Sequence, residues 1–199
     1  MVPPFLEVTD LACRRGGRRV LDHLSFSVGT GELLALTGRN GSGKSTLLRT
    51  LALLVPADAG TIRWQGEDVV IDPDRWRSQV AWLGHLDGLK ADLTVRENLH
   101  SSQPDRARVD AAVAAFDLSA LATREVRTLS AGQRRRAALA RVAASTAPVW
   151  LLDEPLNALD AAAQTLLHAA IARHLATGGV AIAATHADMP SARPLELGA

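Results

Sequence analysis

The sequence predicts an α/β domain: a parallel core sheet, an antiparallel β layer beside it, and an inserted helical subdomain. Three observations carry this. Residues 33–37, 149–152 and 180–185 are almost continuously apolar, the pattern of strands covered on both faces and so of a parallel sheet. Nearer the N-terminus, Leu6 and Val8, and then Leu24, Phe26 and Val28, alternate with polar residues, the period of half-buried strands. From about residue 86 to 144 the character shifts towards helix. There Thr94 and Glu97 form a Thr-x-x-Glu capping box, and residues 105–116 form a second helical stretch.

In chain order, Gly29-Thr30-Gly31 turns the alternating run into the apolar strand at 33–37. Residues 38–46 then read GRNGSGKST, with Gly38, Gly43, Lys44 and Ser45 at every fixed position of G-x-x-x-x-G-K-[ST] between a strand and a helix. A phosphate chain is held by successive inward N–H groups only where no Cβ blocks the approach, and Gly38, Gly41 and Gly43 clear that space. Arg39, Asn40, Ser42 and Thr46 complete the loop. The following helix adds uncapped N–H groups and a positive dipole end, Lys44 adds a full charge, and Ser45 can place a hydroxyl on Mg²⁺. A glycine-rich turn before an ordinary helix is the plainer reading. Leu47, Leu48, Leu51 and Leu54 mark one face of that helix, which Pro56 stops. Residues 61–64 and 69–71 are expected to return to the antiparallel layer, Ser101-Ser102-Gln103-Pro104 is a loop, and the tail after Pro190 has no decisive pattern.

Composition narrows the function. A length of 199 residues fits one domain with a sizeable core, and 22 basic against 21 acidic residues create no global field for nucleic acid or an anionic membrane. The longest apolar runs, such as 51–55, fall far short of a membrane span. Met1-Val2-Pro3-Pro4 lacks the features of a secretion signal, and Cys13 is the single cysteine, so a cytoplasmic setting is expected.

Residues 149–154, VWLLDE, form a hydrophobic strand that ends in two carboxylates. Beside the phosphate loop, Asp153 can hold Mg²⁺ directly or through water, and Glu154 can polarise an attacking water. A strand followed by a polar turn at Pro155 explains the same residues without function. His186 follows the strand at 180–185, at the end where doubly wound sheets carry ligands, and is a candidate donor to a terminal phosphate. A histidine there is otherwise an ordinary surface residue.

Leu129-Ser130-Ala131-Gly132-Gln133 resembles the LSGGQ signature of the ATP-binding cassette (ABC) family of P-loop NTPases. Its place before VWLLDEP, with a basic helix at 134–144 between, matches the family's order. Ser130 and Gln133 are also the residues of a capping box. The resemblance covers essentially the whole chain. It implies ATP and Mg²⁺, one ABC-type nucleotide-binding domain over 1–199, a catalytic core with antiparallel layer at 1–85 and 145–199, and a helical subdomain at 86–144. It also implies a homodimer formed on ATP binding, in which Ser130, Ala131, Gly132 and Gln133 of one copy act on the γ-phosphate held by the other. Leu156-Asn157-Ala158-Leu159-Asp160 resembles the D-loop, with Asp160 its functional residue.

Two positions depart from the family pattern. Counted from Leu93-Thr94-Val95-Arg96-Glu97-Asn98, the place of the Q-loop glutamine is His85, and the adenine-stacking aromatic falls near Arg15. Imidazole can still bond a metal-bound water or phosphate, and a guanidinium can stack on a base. Arg14 and Arg15 read equally well as solvated loop charges.

The stretch 80–90, VAWLGHLDGLK, with the short length and LSAGQRRRAALAR, resembles the ATPase subunits of cytochrome c maturation export systems. That implies a peripheral ATP hydrolase on the cytoplasmic face of a bacterial inner membrane, acting with integral membrane subunits to free haem-loaded chaperone. No C-x-x-C-H is present, and His23, His100, His168 and His174 read as ordinary residues, so direct haem binding is not expected. Another ABC importer or exporter, or a soluble ABC ATPase, remains the alternative.

Overall fold

Two sheets organise the protein, which is described over residues 5–198 of a computed structural model. The stretch Met1-Val2-Pro3-Pro4, expected to be no secretion signal, lies outside the described residues. The chain begins with a long hairpin, β1 (Leu6–Arg15) and β2 (Arg18–Val28), and runs into β3 (Leu33–Thr37) and helix α1 (Lys44–Leu51). It returns through β4 (Ala59–Trp64) and β5 (Glu67–Asp68), then α2 (Pro73–Ser78) and β6 (Val80–Leu83). Helices α3 (Val95–His100), α4 (Arg106–Ala115) and α5 (Ala131–Ala144) follow, and β7 (Val149–Asp153), α6 (Ala161–Ala176), β8 (Val180–Ala184) and β9 (Arg193–Glu196) close the chain.

The antiparallel sheet has order β2-β1-β4-β5, and the second sheet has order β6-β7-β8-β3-β9 with every neighbouring pair parallel. The continuous apolar runs have a direct cause. Leu34, Leu36, Val149, Leu151, Val180 and Ile182 face α1 and the antiparallel sheet, whereas Leu33, Trp150, Leu152, Ala181 and Ala183 face the helices on the other side. Alternate side chains of each strand therefore enter two different cores, and neither face can be polar. The ABC-type expectation of a parallel core sheet, antiparallel layer and helices is met.

Details differ from the expectation in four places. The hairpin extends to Arg15 and Arg18 because Gly16 and Gly17, at φ 56 and 76, form the two-residue turn that matches strand twist. The second return to the antiparallel layer is Glu67–Asp68, not residues 69–71. Gln65 and Gly66, at φ 52 and 87, turn the chain immediately after Trp64, so pairing starts at Glu67 and leaves Val70 and Ile71 exposed. Helix α1 buries Leu47, Leu48 and Leu51 but ends there. Leu53 takes φ 53 and carries Leu54, 58% exposed, off the helical face. Finally, the tail after Pro190 holds β9, an edge strand whose exposed Arg193 and Glu196 gave no apolar run.

Two helix starts, those of α3 and α5, are the ones the capping boxes predict, and a third cap stands at Asp105. Thr94 and Glu97 close the box on α3, Asp105 accepts from two N–H groups of α4, and Ser130 with Gln133 closes the box on α5. Residues of α3, α4 and α5, including Leu99, Val109, Val113 and Leu139, share one buried cluster with Leu152 and Ala183 of the sheet.

Candidate functional site

Three strands of the parallel sheet, β7, β8 and β3, lie side by side, and their C-terminal ends carry Asp153, Thr185 and the loop after Thr37. Ligands of open α/β sheets bind at that end. The loop needs its glycines for different reasons. A Cβ on Gly38 (φ 129) would lie 2.4 Å from the Leu197 carbonyl oxygen, and one on Gly43 (φ 103) would lie 2.9 Å from Val20 Cγ1. Gly41, at φ 83, meets nothing within 4 Å and leaves the loop open to the cleft.

Lys44 is buried, and its Nζ donates to the carbonyls of Gly38 at 2.7 Å and Arg39 at 3.2 Å, so the ammonium is held against the loop. No side chain caps the start of α1 at Gly43. Its first N–H groups thus meet the requirement for an anion site at a helix start.

Ser45 Oγ donates to Asp153 Oδ1 at 2.8 Å, and Asp153 is buried at the end of β7. The next residue, Glu154, sits at φ 49 with its N–H bonded to the Ala184 carbonyl at 2.9 Å. The turn brings its carboxylate to 3.6 Å from His186 Nε2, and that histidine follows Thr185 on the exposed side. The two acids are therefore separated in role by the strand end: one faces the loop hydroxyl, the other the histidine.

A cleft of about 420 Å³ joins Lys44, Ser45, Glu154 and His186, with Asp153 buried behind Ser45 and not lining it. Of the expected residues, Arg15, Asn40, Gly41, Gly43, Lys44, Ser45, Thr46, Glu154 and His186 line it. Arg39 is an exposed residue of the loop, and Gly38, Arg39 and Ser42 are not among those lining the cleft. Two lining residues were not foreseen, Arg18 and Val20. The signal was the symmetric Arg-Arg-Gly-Gly-Arg-Arg at 14–19, whose Gly-Gly turn sets Arg18 opposite Arg15.

The remaining expected residues stand elsewhere. His85 is exposed on the loop after β6 and does not line the cleft. Ser130, Gly132, Gln133 and Asp160 share a separate hollow of about 180 Å³, while Ala131 is exposed beside it. Gln133 N donates to Ser130 Oγ at 3.2 Å and Ser130 N to Gln133 Oε1 at 2.9 Å. A Cβ on Gly132 would lie 2.9 Å from the Ala158 carbonyl oxygen, so the glycine permits close packing against residues 156–160. Asp160 caps α6 by accepting from Ala163 N at 2.8 Å. Signature-like and D-loop-like segments thus adjoin each other, on a surface apart from the cleft.

A larger hollow of about 840 Å³ opens at the opposite end of β7 and β8. Trp150 and His174, stacked at 4.1 Å, line it, and no carboxylate does. Burial holds the His174 imidazole below its ordinary value, against the opposing backbone hydrogen bonds at Val180 and Pro148.

A family profile described as ABC transporter matches residues 21–157. A relative from Paramagnetospirillum magneticum, named cytochrome c biogenesis ATP-binding export protein CcmA, is 46% identical over 198 residues, covering 94% of this chain and 91% of its own length. One of the same name from Rhodospirillum rubrum is 46% identical over 201 residues, covering 98% and 86%. Among solved structures, an ATP-binding subunit of an ABC transporter superposes with TM-score 0.83 at 26% identity over 92% of this chain and 80% of that one. A bacterial Atm1-family ABC exporter with ATP bound superposes with TM-score 0.88 at 25% identity over 100% of this chain and 38% of that one.

Proposed function

This chain belongs to the ABC transporter family as an ATP-binding domain, and from that membership we propose that it is the ATP-hydrolysing subunit of a haem export system serving cytochrome c maturation. The observation that carries the export role is the 46% identity to two subunits so named, over nearly the full chain, helices α3 to α5 included. ATP hydrolysis has its own support in the convergence of Lys44, Ser45, Asp153, Glu154 and His186 on one sheet end.

The phosphates of ATP lie against the N–H groups of residues 40–46 and the Lys44 ammonium. Arg15, beside Arg18, offers a guanidinium face to the base. The site also fits Mg²⁺: a buried carboxylate and a hydroxyl meet at 2.8 Å beside the loop, an all-oxygen set suited to a hard cation that shares its shell with substrate phosphates. Ser45 and Asp153 would hold that ion, which when bound neutralises charge on the phosphate oxygens. Glu154 orients the attacking water and takes its proton, and His186 donates to the terminal phosphate from the neighbouring strand end.

Arg15, Arg18, Asn40, Gly41 and His186 leave one side of the cleft exposed. A second copy covers that side, with Ser130 to Gln133 presenting a capped helix start and the Ser130 hydroxyl to the γ-phosphate, and Asp160 crossing the interface. His85 takes the place of the Q-loop glutamine as that loop moves against the nucleotide. ATP binding closes the pair, and hydrolysis reopens it.

Among the described residues no helix is long and apolar enough to cross a membrane. Family membership supports integral membrane subunits that complete the complex, with this chain peripheral on the cytoplasmic face and without direct contact with haem. The test is a Lys44→Ala variant in cells lacking the native subunit. Haem-loaded chaperone should accumulate and mature c-type cytochromes disappear, while the variant still co-purifies with membrane subunits. Normal cytochrome c maturation with the ATPase abolished would contradict the assignment.

A further inference from the structure

Three consecutive arginines open the second turn of α5, and they diverge. Arg134 donates to the Leu129 carbonyl and Arg136 to the carbonyls of Phe116 and Asp117. Arg135 turns inward and is only 5% exposed. Its Nη2 donates to the carbonyls of Asp153 at 2.8 Å and Glu154 at 2.6 Å, and its Nη1 to the Gly84 carbonyl at 3.1 Å and Asp87 Oδ1 at 3.2 Å.

One planar fork thus joins three segments. They are the helix that starts at Ser130, the loop that carries His85 between Gly84 and Asp87, and the strand end that carries Glu154. Glu154 needs outside support, because φ 49 is a left-handed conformation that non-glycine residues rarely hold. Its N–H is tied to Ala184 and its carbonyl to Arg135, so both flanking peptides are fixed and with them the direction of the carboxylate. A buried guanidinium is suited to this, since its donors lie in a fixed plane and a single ammonium cannot reach both pairs.

We propose that Arg135 is a positioning residue for ATP hydrolysis, holding the Glu154 peptide in its left-handed turn and locking it to the Gly84–Asp87 loop and α5. The proposal rests on the reading of Glu154 as the residue that orients water. Arg135 itself does not line the cleft and acts through the backbone of Asp153 and Glu154.

The test compares Arg135→Lys and Arg135→Gln, alone and combined with Glu154→Gln, by steady-state ATPase kinetics, ATP-binding titration and single-turnover rates. Each single variant should lower kcat about tenfold or more while the KM and Kd for ATP stay within about twofold. Arg135→Lys should retain more activity than Arg135→Gln, because it keeps the charge beside Asp87. In the Glu154→Gln background the same changes should alter the residual rate by less than about twofold, because residues that act as a unit are not additive. Wild-type kcat in both Arg135 variants overturns the proposal. So does parallel loss of kcat and ATP binding with a lowered Tm, which makes Arg135 merely structural, and so does an additive loss in the double variants. Wild-type turnover in Glu154→Gln alone removes the premise itself, and is seen before Arg135 is changed.

Discussion

Ser45 Oγ and Asp153 Oδ1 meet at 2.8 Å although 108 positions separate them in sequence. The contact fastens the start of α1 to the end of β7 and brings a hydroxyl and a carboxylate together at the edge of the cleft. Asp153→Asn separates the two roles, since the amide oxygen still accepts from Ser45 while the charge is lost. Affinity for ATP measured with a chelator present should not weaken. The gain from adding Mg²⁺ should shrink about tenfold, roughly 1.4 kcal/mol, in a calorimetric titration. An undiminished Mg²⁺ effect would remove Asp153 from the metal site.

Ser130 has a local duty as the cap of α5 and a proposed one towards a second copy. Ser130→Ala removes the cap and should cost about 1 kcal/mol, a fall in Tm of roughly 2 to 4 °C for a chain of this size. Ser130→Asp keeps a good cap but turns a negative charge towards the incoming phosphates. It should melt close to wild type and yet fail to dimerise with ATP, as followed by light scattering. ATP-driven dimers of Ser130→Asp at wild-type affinity would detach the signature from the nucleotide.

His174 links pH to stability. Burial keeps its folded pKa below the ordinary 6.5, so the unfolded chain takes up the proton first. The contribution is fully present above about 6.5 and is lost as pH falls from there towards the depressed folded value. His174→Phe preserves the stack on Trp150 and gives up the bond to the Val180 carbonyl. It should be slightly less stable at neutral pH but lose less Tm than wild type on going to mildly acid pH. Parallel Tm curves for the two proteins would exclude His174 as the source.

Much of this fold is legible because its signals are local. Leu34 and Leu36 facing one core and Leu33 the other make β3 almost continuously apolar, and the Thr94 and Ser130 capping boxes mark helix starts within a residue. The strand ends Asp153 and Glu154 are readable for the same reason, since a buried run stops at two carboxylates. What escaped depends on partners distant in sequence. Nothing in Arg134-Arg135-Arg136 tells which guanidinium turns inward, because the carbonyls it meets belong to Gly84, Asp153 and Glu154. Val70 and Ile71 have strand propensity, but the turn at Gln65-Gly66 sets the register and leaves them outside it. Edge strand β9 carries no apolar run because only one side of it is paired, to β3.

Sedimentation and turnover of Glu154→Gln decide whether the cleft is half of an ATP site closed by a second copy. The carboxylate lies 3.6 Å from His186, and an amide there keeps the shape but cannot take a proton from water. Turnover should fall at least about 10²-fold, and Mg²⁺-ATP should convert monomers to a stable dimer at concentrations where ADP leaves them monomeric. Hydrolysis at the wild-type rate, or a protein that stays monomeric when saturated with ATP, would contradict it.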